Sequence, residues 1–200
     1  MQETDEQLIR AYVSEGNEDA LATLIARHTG AIYHFVYRLV KDRQEAEDIT
    51  QETFVKVWRN LKRYIHDTSF TPWLFTIARN TTLDHLRKKK MLVFSELTQS
   101  LSEDADNAVP FEETLPDEQP LPQELLASNE TATLLSTALD ALPFVYREVL
   151  VLRYKEDFSF GEIATILGRP ENTVKSQCRR GLQQLREKLL AAPIYEDRTY

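Results

Sequence analysis

Lys175, Ser176, Arg179 and Arg180 are the residues whose types and spacing most directly suggest chemistry. A guanidinium or ammonium group can donate to O6 and N7 of guanine, and a serine hydroxyl can meet either kind of base edge. Such side chains read DNA only if one helix presents them together. A second set, Asn80, Asp84 and Arg87, is spaced by four and three, so a helix would align it along one face. It runs into the cationic cluster Arg87, Lys88, Lys89 and Lys90, which suits a helix C-terminus and also suits backbone phosphates. A third set, Asp48, Gln51 and Glu52, shares a stripe with Val55 and Arg59. That stripe reads either as a solvated helix surface or as a docking face for a protein.

Catalytic and metal chemistry find no comparable support. The four histidines (His28, His34, His66 and His85) form no ligand-spaced pair of the HExxH kind, and Cys178 is the sole cysteine. There is no glycine-rich phosphate loop and no nucleophile elbow. The expectation is a protein that is not an enzyme and uses no metal or cofactor. One cysteine allows no internal disulfide, and the acidic start Met-Gln-Glu-Thr-Asp-Glu is unlike a signal peptide. No apolar run is long enough for a membrane span. A cytoplasmic location is expected.

The elements that must position these residues read as helices throughout. Thr4 with Gln7 predicts a capping box, and Gly16 a stop; Asn17 can cap the next helix. In that helix Leu21, Leu24, Ile25, His28, Ile32, Phe35, Val36 and Leu39 share one side. Asp42 with Glu45 marks a third start, whose predicted buried face is Phe54, Val57, Trp58 and Leu61. Thr71 is expected to cap a fourth helix with Pro72 at its first position. That helix packs Trp73, Leu74, Ile77, Ala78 and Thr81 inward and ends at Arg87–Lys90.

From Met91 the pattern changes. Residues 91–130 hold ten acids and no Lys or Arg, and four prolines fall between 110 and 122. This predicts a linker without a core of its own. The net charge of −8 belongs to that segment, because residues 1–90 and 131–200 are each +1. Helical pattern resumes near Ser128, with Leu134, Leu135, Ala138 and Leu142 on one face, and Pro143 breaks it. Phe144 to Tyr154 follows. Ser159 with Glu162 then predicts a capping box, Gly168 a left-handed stop and Pro170 a break. A last helix, opened by Glu171, Asn172 or Thr173, packs Val174, Cys178, Leu182 and Leu185 on one side. Cys178 therefore reads as a core residue. Two short helices around a tight turn, the second basic along its free side, fit a DNA-binding helix-turn-helix and also fit a plain helical hairpin.

The fold class expected is all-α: two small helical domains, residues 1–90 and 128–200, joined by an acidic flexible linker over 91–127. In this order the chain resembles the extracytoplasmic-function (ECF) sigma factors, promoter-recognition subunits of bacterial RNA polymerase. Three blocks carry the resemblance: Ala46-Glu-Asp-Ile-Thr-Gln-Glu-Thr-Phe54; residues 70–89, from Phe70-Thr-Pro-Trp-Leu-Phe75 to Leu86-Arg-Lys-Lys89; and Leu142-Pro143 through Arg147 to Thr173-Val-Lys-Ser176 with Arg180-Gly181.

The resemblance implies that Asp48, Gln51 and Glu52 dock on the clamp helices of the polymerase's largest subunit, and that the chain also contacts the polymerase flap. It implies that the loop from Tyr64 to Phe70 and the helix around Asn80 recognise the minus-ten element and hold a flipped base, at a cost of a few kcal/mol that the pocket must offset. Arg87, Lys88 and Lys89 would hold phosphates. Thr173, Lys175, Ser176, Arg179 and Arg180 match positions reading the minus-thirty-five element. Gln177 stands where relatives commonly have Arg. An anti-sigma factor is an expected partner. The competing reading is a helix-turn-helix regulator with an N-terminal sensing or dimerising domain.

Geometry constrains how such a protein works. Two promoter elements two duplex turns apart are separated by roughly 70 Å. A flexible chain of the linker's length averages about 35 Å end to end and reaches about 130 Å when stretched. The linker can bridge the sites but cannot set their distance, so a rigid polymerase must. Lying in a basic channel there, it would imitate nucleic acid; in the free protein it would fold back on the cationic patches.

Overall fold

A computed structural model of the chain describes residues 3–64, 69–96 and 129–191. Among these residues the only regular elements are helices: α1 (Asp5–Glu15), α2 (Glu18–Val40), α3 (Arg43–Asn60), α4 (Phe70–Glu96), α5 (Asn129–Asp140), α6 (Phe144–Tyr154), α7 (Phe160–Leu167) and α8 (Glu171–Leu190), with a short 3-10 turn at Leu61–Arg63. Most of the acidic linker, including its prolines, lies outside the described residues.

The caps follow the sequence. Thr4 Oγ1 accepts from the Gln7 amide and Gln7 Oε1 accepts from the Thr4 amide, closing the first capping box. Gly16 ends α1 at φ +70°. Asn17 caps α2 through the Ala20 amide, and Asp42 caps α3 through the Glu45 amide. In the first domain α2, α3 and α4 pack around Ile32, Phe35, Ile49, Val57 and Leu74, all fully buried, and α1 covers one side with Leu8 and Ile9.

Three expectations need correction. α4 begins at Phe70 rather than behind a Thr71 cap, so Pro72 is its third residue; its missing N–H is still harmless there, because the first turn has no acceptors for its amides. At the other end α4 passes through Arg87–Lys90 and continues to Glu96. Met91-Leu-Val-Phe-Ser-Glu contains no breaker, so the change in charge does not interrupt the helix. The cationic cluster therefore lies inside the helix, and the macrodipole does not account for it. The third correction concerns Trp58, which is 51% exposed. Phe54, Val57 and Leu61 at i, i+3 and i+7 are the buried line, and Trp58 falls on its flank beside Val55.

In the second domain α5, α6 and α7 surround α8. Ser159 Oγ accepts from the Glu162 amide, Glu162 Oε2 accepts from the Ser159 amide and hydroxyl, and Gly168 closes α7 at φ +63°. Val174, Cys178 and Leu185 form the buried line of α8, and Leu182 is partly buried beside it. Gly181 lies where α8 crosses α6; a Cβ there would stand 3.2 Å from Leu150 and Tyr146 side-chain atoms.

The domains touch. α7 lies on α4, and α6 contacts α2. Phe75, 2% exposed, meets Phe158 edge-on with ring centroids 4.9 Å apart.

Two stability predictions follow from the second domain. Ser159→Ala removes a cap and should cost about 1 kcal/mol. The hydrogen bonds from Ser159 hold the Glu162 carboxyl below the usual carboxylate range. Because the folded-state value is the lower one, this part of the stability is present above the ordinary Glu range and is lost as pH falls through the depressed value. NMR titration of Glu162 should show its value returning toward normal in Ser159→Ala. Gly181→Ala gains roughly 1 kcal/mol of helix propensity but overpacks a junction where such crowding costs about 1–3 kcal/mol. Denaturant unfolding should show a net loss for Gly181→Ala and a larger one for Gly181→Val.

Candidate nucleic-acid and polymerase interfaces

The three sets of residues stand on three surfaces. On α8 the buried line turns Lys175 and Arg179 to solvent and leaves Thr173, Ser176 and Arg180 half-buried. Ser176 Oγ donates to the Thr173 carbonyl at 2.9 Å, so its proton is engaged within the helix while its oxygen can still accept. Lys175 Nζ lies 2.7 Å from Glu171 and 5.9 Å from the centroid of the Phe160 ring. These contacts hold an exposed ammonium beside the helix entrance. Gln177 is occupied: its Oε1 accepts from Arg169 Nη1 at 3.0 Å.

On α4 Asn80, Asp84, Arg87, Lys88 and Lys89 are exposed, so the face expected from the sequence exists. Asn80 Oδ1 accepts from Arg79 Nη1 at 3.3 Å, which orients the amide. Lys89 is paired with Glu45 of α3, and hydrogen bonding to that carboxylate raises the ammonium pKa. For Lys89 to hold a phosphate, it must exchange this partner. Tyr64 and Phe70 are both buried and pack on one another and on Trp73. They anchor the ends of their loop and do not offer rings to a base. The residues between them, 65–68, lie outside the described residues.

On α3 Asp48, Gln51, Glu52, Val55, Trp58 and Arg59 are exposed together. The Trp58 indole N–H donates to Tyr12 Oη at 2.7 Å, which fixes the ring as part of that surface. Lys56 links this surface to α4: its Nζ is 3.0 Å from Glu52 and donates to Thr81 Oγ1 at 3.1 Å. Among the described residues no group of His, Cys, Asp or Glu is placed to hold a metal ion, and no helix is long and apolar enough to cross a membrane.

Glu148 escaped sequence reasoning. It is a carboxylate with 0% exposure immediately before an apolar run, Val149-Leu-Val-Leu152. Arg79 Nε donates to its Oε2 at 3.1 Å, and Arg169 Nη2 stands 2.8 Å from Oε1, ion-paired but not aligned as a hydrogen bond. A charged residue interrupting an apolar helix face was the available signal.

Comparison with known proteins shows the family of the chain. Residues 24–91 match the Sigma-70 region 2 family, and residues 132–185 match Sigma-70, region 4. The chain is 33% identical over 177 residues to the ECF RNA polymerase sigma factor SigW of Bacillus subtilis, covering 88% of this chain and 92% of that one. It is 36% identical over 166 residues to the ECF RNA polymerase sigma factor SigE of Mycolicibacterium smegmatis, covering 83% of this chain and 60% of that one. Its fold is similar to that of the sigma factor RpoE from Bartonella quintana, solved with the anti-sigma factor NepR, at a TM-score of 0.63 and 24% identity over 85% of this chain and 96% of that one. With both sigma regions in order, each carrying an exposed polar face on a helical core, the chain belongs to the ECF sigma factors, which bind RNA polymerase and direct it to promoters.

Proposed function

We propose that the three surfaces divide the work of a sigma factor in the cytoplasm. Asp48, Gln51 and Glu52 on α3 hold the clamp helices of the polymerase's largest subunit, with Val55 and Trp58 supplying apolar contact beside them. Asn80 on α4 meets the minus-ten element, and Arg87 and Lys88 hold its backbone. α8 enters the major groove at the minus-thirty-five element, where Lys175 and Arg179 read base edges, Thr173 and Ser176 contact the strand, and Arg180 flanks them. The observation that carries this reading is the orientation of α8: its apolar line is buried and its basic edge is exposed at the start of the helix, where a recognition helix meets bases.

The mechanism needs no covalent step from the chain. Polymerase fixes the distance between the two domains, α8 anchors upstream duplex, and α4 holds melted strand. The cost of flipping a base is offset by hydrogen bonds to its edge in the site. An anti-sigma factor controls access by covering the exposed apolar residues of α3; Val55 and Trp58, 43% and 51% exposed, support this.

In-vitro transcription with core polymerase tests the division. Arg179→Ala should lower initiation on promoters that depend on the minus-thirty-five element by roughly 5- to 150-fold, as expected for loss of a base contact of about 1–3 kcal/mol. It should leave affinity for core polymerase unchanged. The pair Asp48→Lys and Glu52→Lys should do the reverse, abolishing co-purification with core polymerase while binding of α8 to a duplex fragment persists. Equal loss of both activities in either variant would contradict the assignment.

A further inference from the structure

The contact between the domains has a consistent polarity. From the first domain come Arg38 and Lys41 at the end of α2 and Arg79 on α4, set around Phe75. From the second come Glu156, Asp140 and Glu148, set around Phe158. Arg38 Nη1 lies 3.2 Å from Glu156 Oε1, Lys41 pairs with Asp140, and Arg79 donates to Glu148 at 3.1 Å. In each pair the cation belongs to the first domain and the acid to the second. At the centre the two phenylalanine rings meet edge-on.

The central pair extends into a relay. Asn80 Oδ1 is held by Arg79 Nη1, Arg79 Nε by Glu148, Glu148 by Arg169 Nη2, and Arg169 Nη1 by Gln177 on α8. Four side-chain contacts thus join the helix assigned to the minus-ten element to the helix assigned to the minus-thirty-five element. Surfaces so linked stand within about one α8 length of each other, on the order of 30 Å. Promoter elements two duplex turns apart require roughly 70 Å.

We propose that the cationic face of α2 and α4 around Phe75 is an interaction surface occupied in cis by the acidic face of the second domain, closing the free sigma factor, and that Glu148 is its latch. This rests on the sigma reading above. The closed chain cannot serve both promoter elements, so mounting on polymerase must separate the two faces. Separation leaves Glu148 with Arg169 alone, inside its own domain, and frees Arg79 beside Asn80. The partner that fits the vacated first-domain face is acidic with an aromatic or aliphatic anchor, the chemistry of the segment it releases.

The full-length chain provides the test. A zero-length carbodiimide joins a lysine to a carboxylate only where they touch, so it should link Lys41 to Asp140 within one chain of the free protein, read by mass spectrometry. The link should disappear on saturation with core polymerase. Small-angle scattering should show a compact free protein that expands in Arg79→Ala, with an open fraction on the order of tenfold higher for loss of one charge-assisted hydrogen bond. Lys41→Asp should abolish the cross-link and loosen the chain up to about fivefold, and combining it with Asp140→Lys should restore both compactness and the cross-link. A free protein already extended, with no cross-link and no response to Arg79→Ala, would overturn the proposal even if the chain directs core polymerase to promoters. A compact, cross-linked chain that cannot direct core polymerase would instead overturn the sigma reading and leave the cis contact standing.

Discussion

A carboxylate removed from water must be met by cations or it will not stay charged. Glu148 sits under that constraint on α6, next to four buried apolar residues, Val149 to Leu152. One of its two arginines comes from its own domain and the other from α4 of the first domain. Satisfying one buried side chain therefore orients α7 and α8 against α4. Arg169 serves this centre with one nitrogen and Gln177 with another, so α8 is positioned by the same group. Arg79 likewise reaches Asn80. The hydrogen-bonding needs of one acid thus reach both α4 and α8.

α4 is the element on which the other surfaces converge. Its inner side fills the first-domain core with Leu74 and Ala78, Phe75 and Arg79 face the second domain, and Asn80, Asp84 and Arg87 face solvent. Lys56 adds a link from the exposed polar stripe of α3 to Thr81. A helix with demands on nearly every side shows little amphipathic pattern, and its length is needed to space the contacts. Thr81 and Thr82 are buried and turn their hydroxyls to the carbonyls one turn back, so the α4 interior carries no unmet donor there.

Local rules made much of this legible in advance. Thr4, Asn17, Asp42 and Ser159 cap the helices they precede, and Gly16 and Gly168 take the left-handed conformation, because capping depends on a few neighbouring atoms. The buried line of α8 follows from its spacing. Trp58 did not follow, since size and hydrophobicity do not distinguish the centre of a buried stripe from its edge. The end of α4 did not follow, because a change in net charge is not a helix stop. Least legible was the contact between domains. Phe75 and Glu148 have partners about 80 and 70 residues away, and no periodicity within one helix encodes a partner on another. The readings of Asp48, Asn80 and Lys175 rest on resemblance together with exposure, not on a geometry unique to binding.

The materials of the interdomain contact bear on how it opens. A large apolar side chain buried at such a surface contributes about 1.5–3 kcal/mol, whereas a half-exposed ion pair contributes about 0–1 kcal/mol. One aromatic pair ringed by charges is therefore specific without being tight. Glu156 illustrates the balance: burial holds its carboxyl above the usual carboxylate range in spite of Arg38 and Lys155. That pair fixes orientation more than it stabilises. Because the two faces are tethered, even a weak contact is populated at the high effective concentration that a linker imposes. Salt screens the outer pairs, and a polymerase that holds the domains apart removes the advantage of the tether. A contact of this composition can hold a free chain closed and still yield to assembly, which a purely apolar interface of the same area would resist.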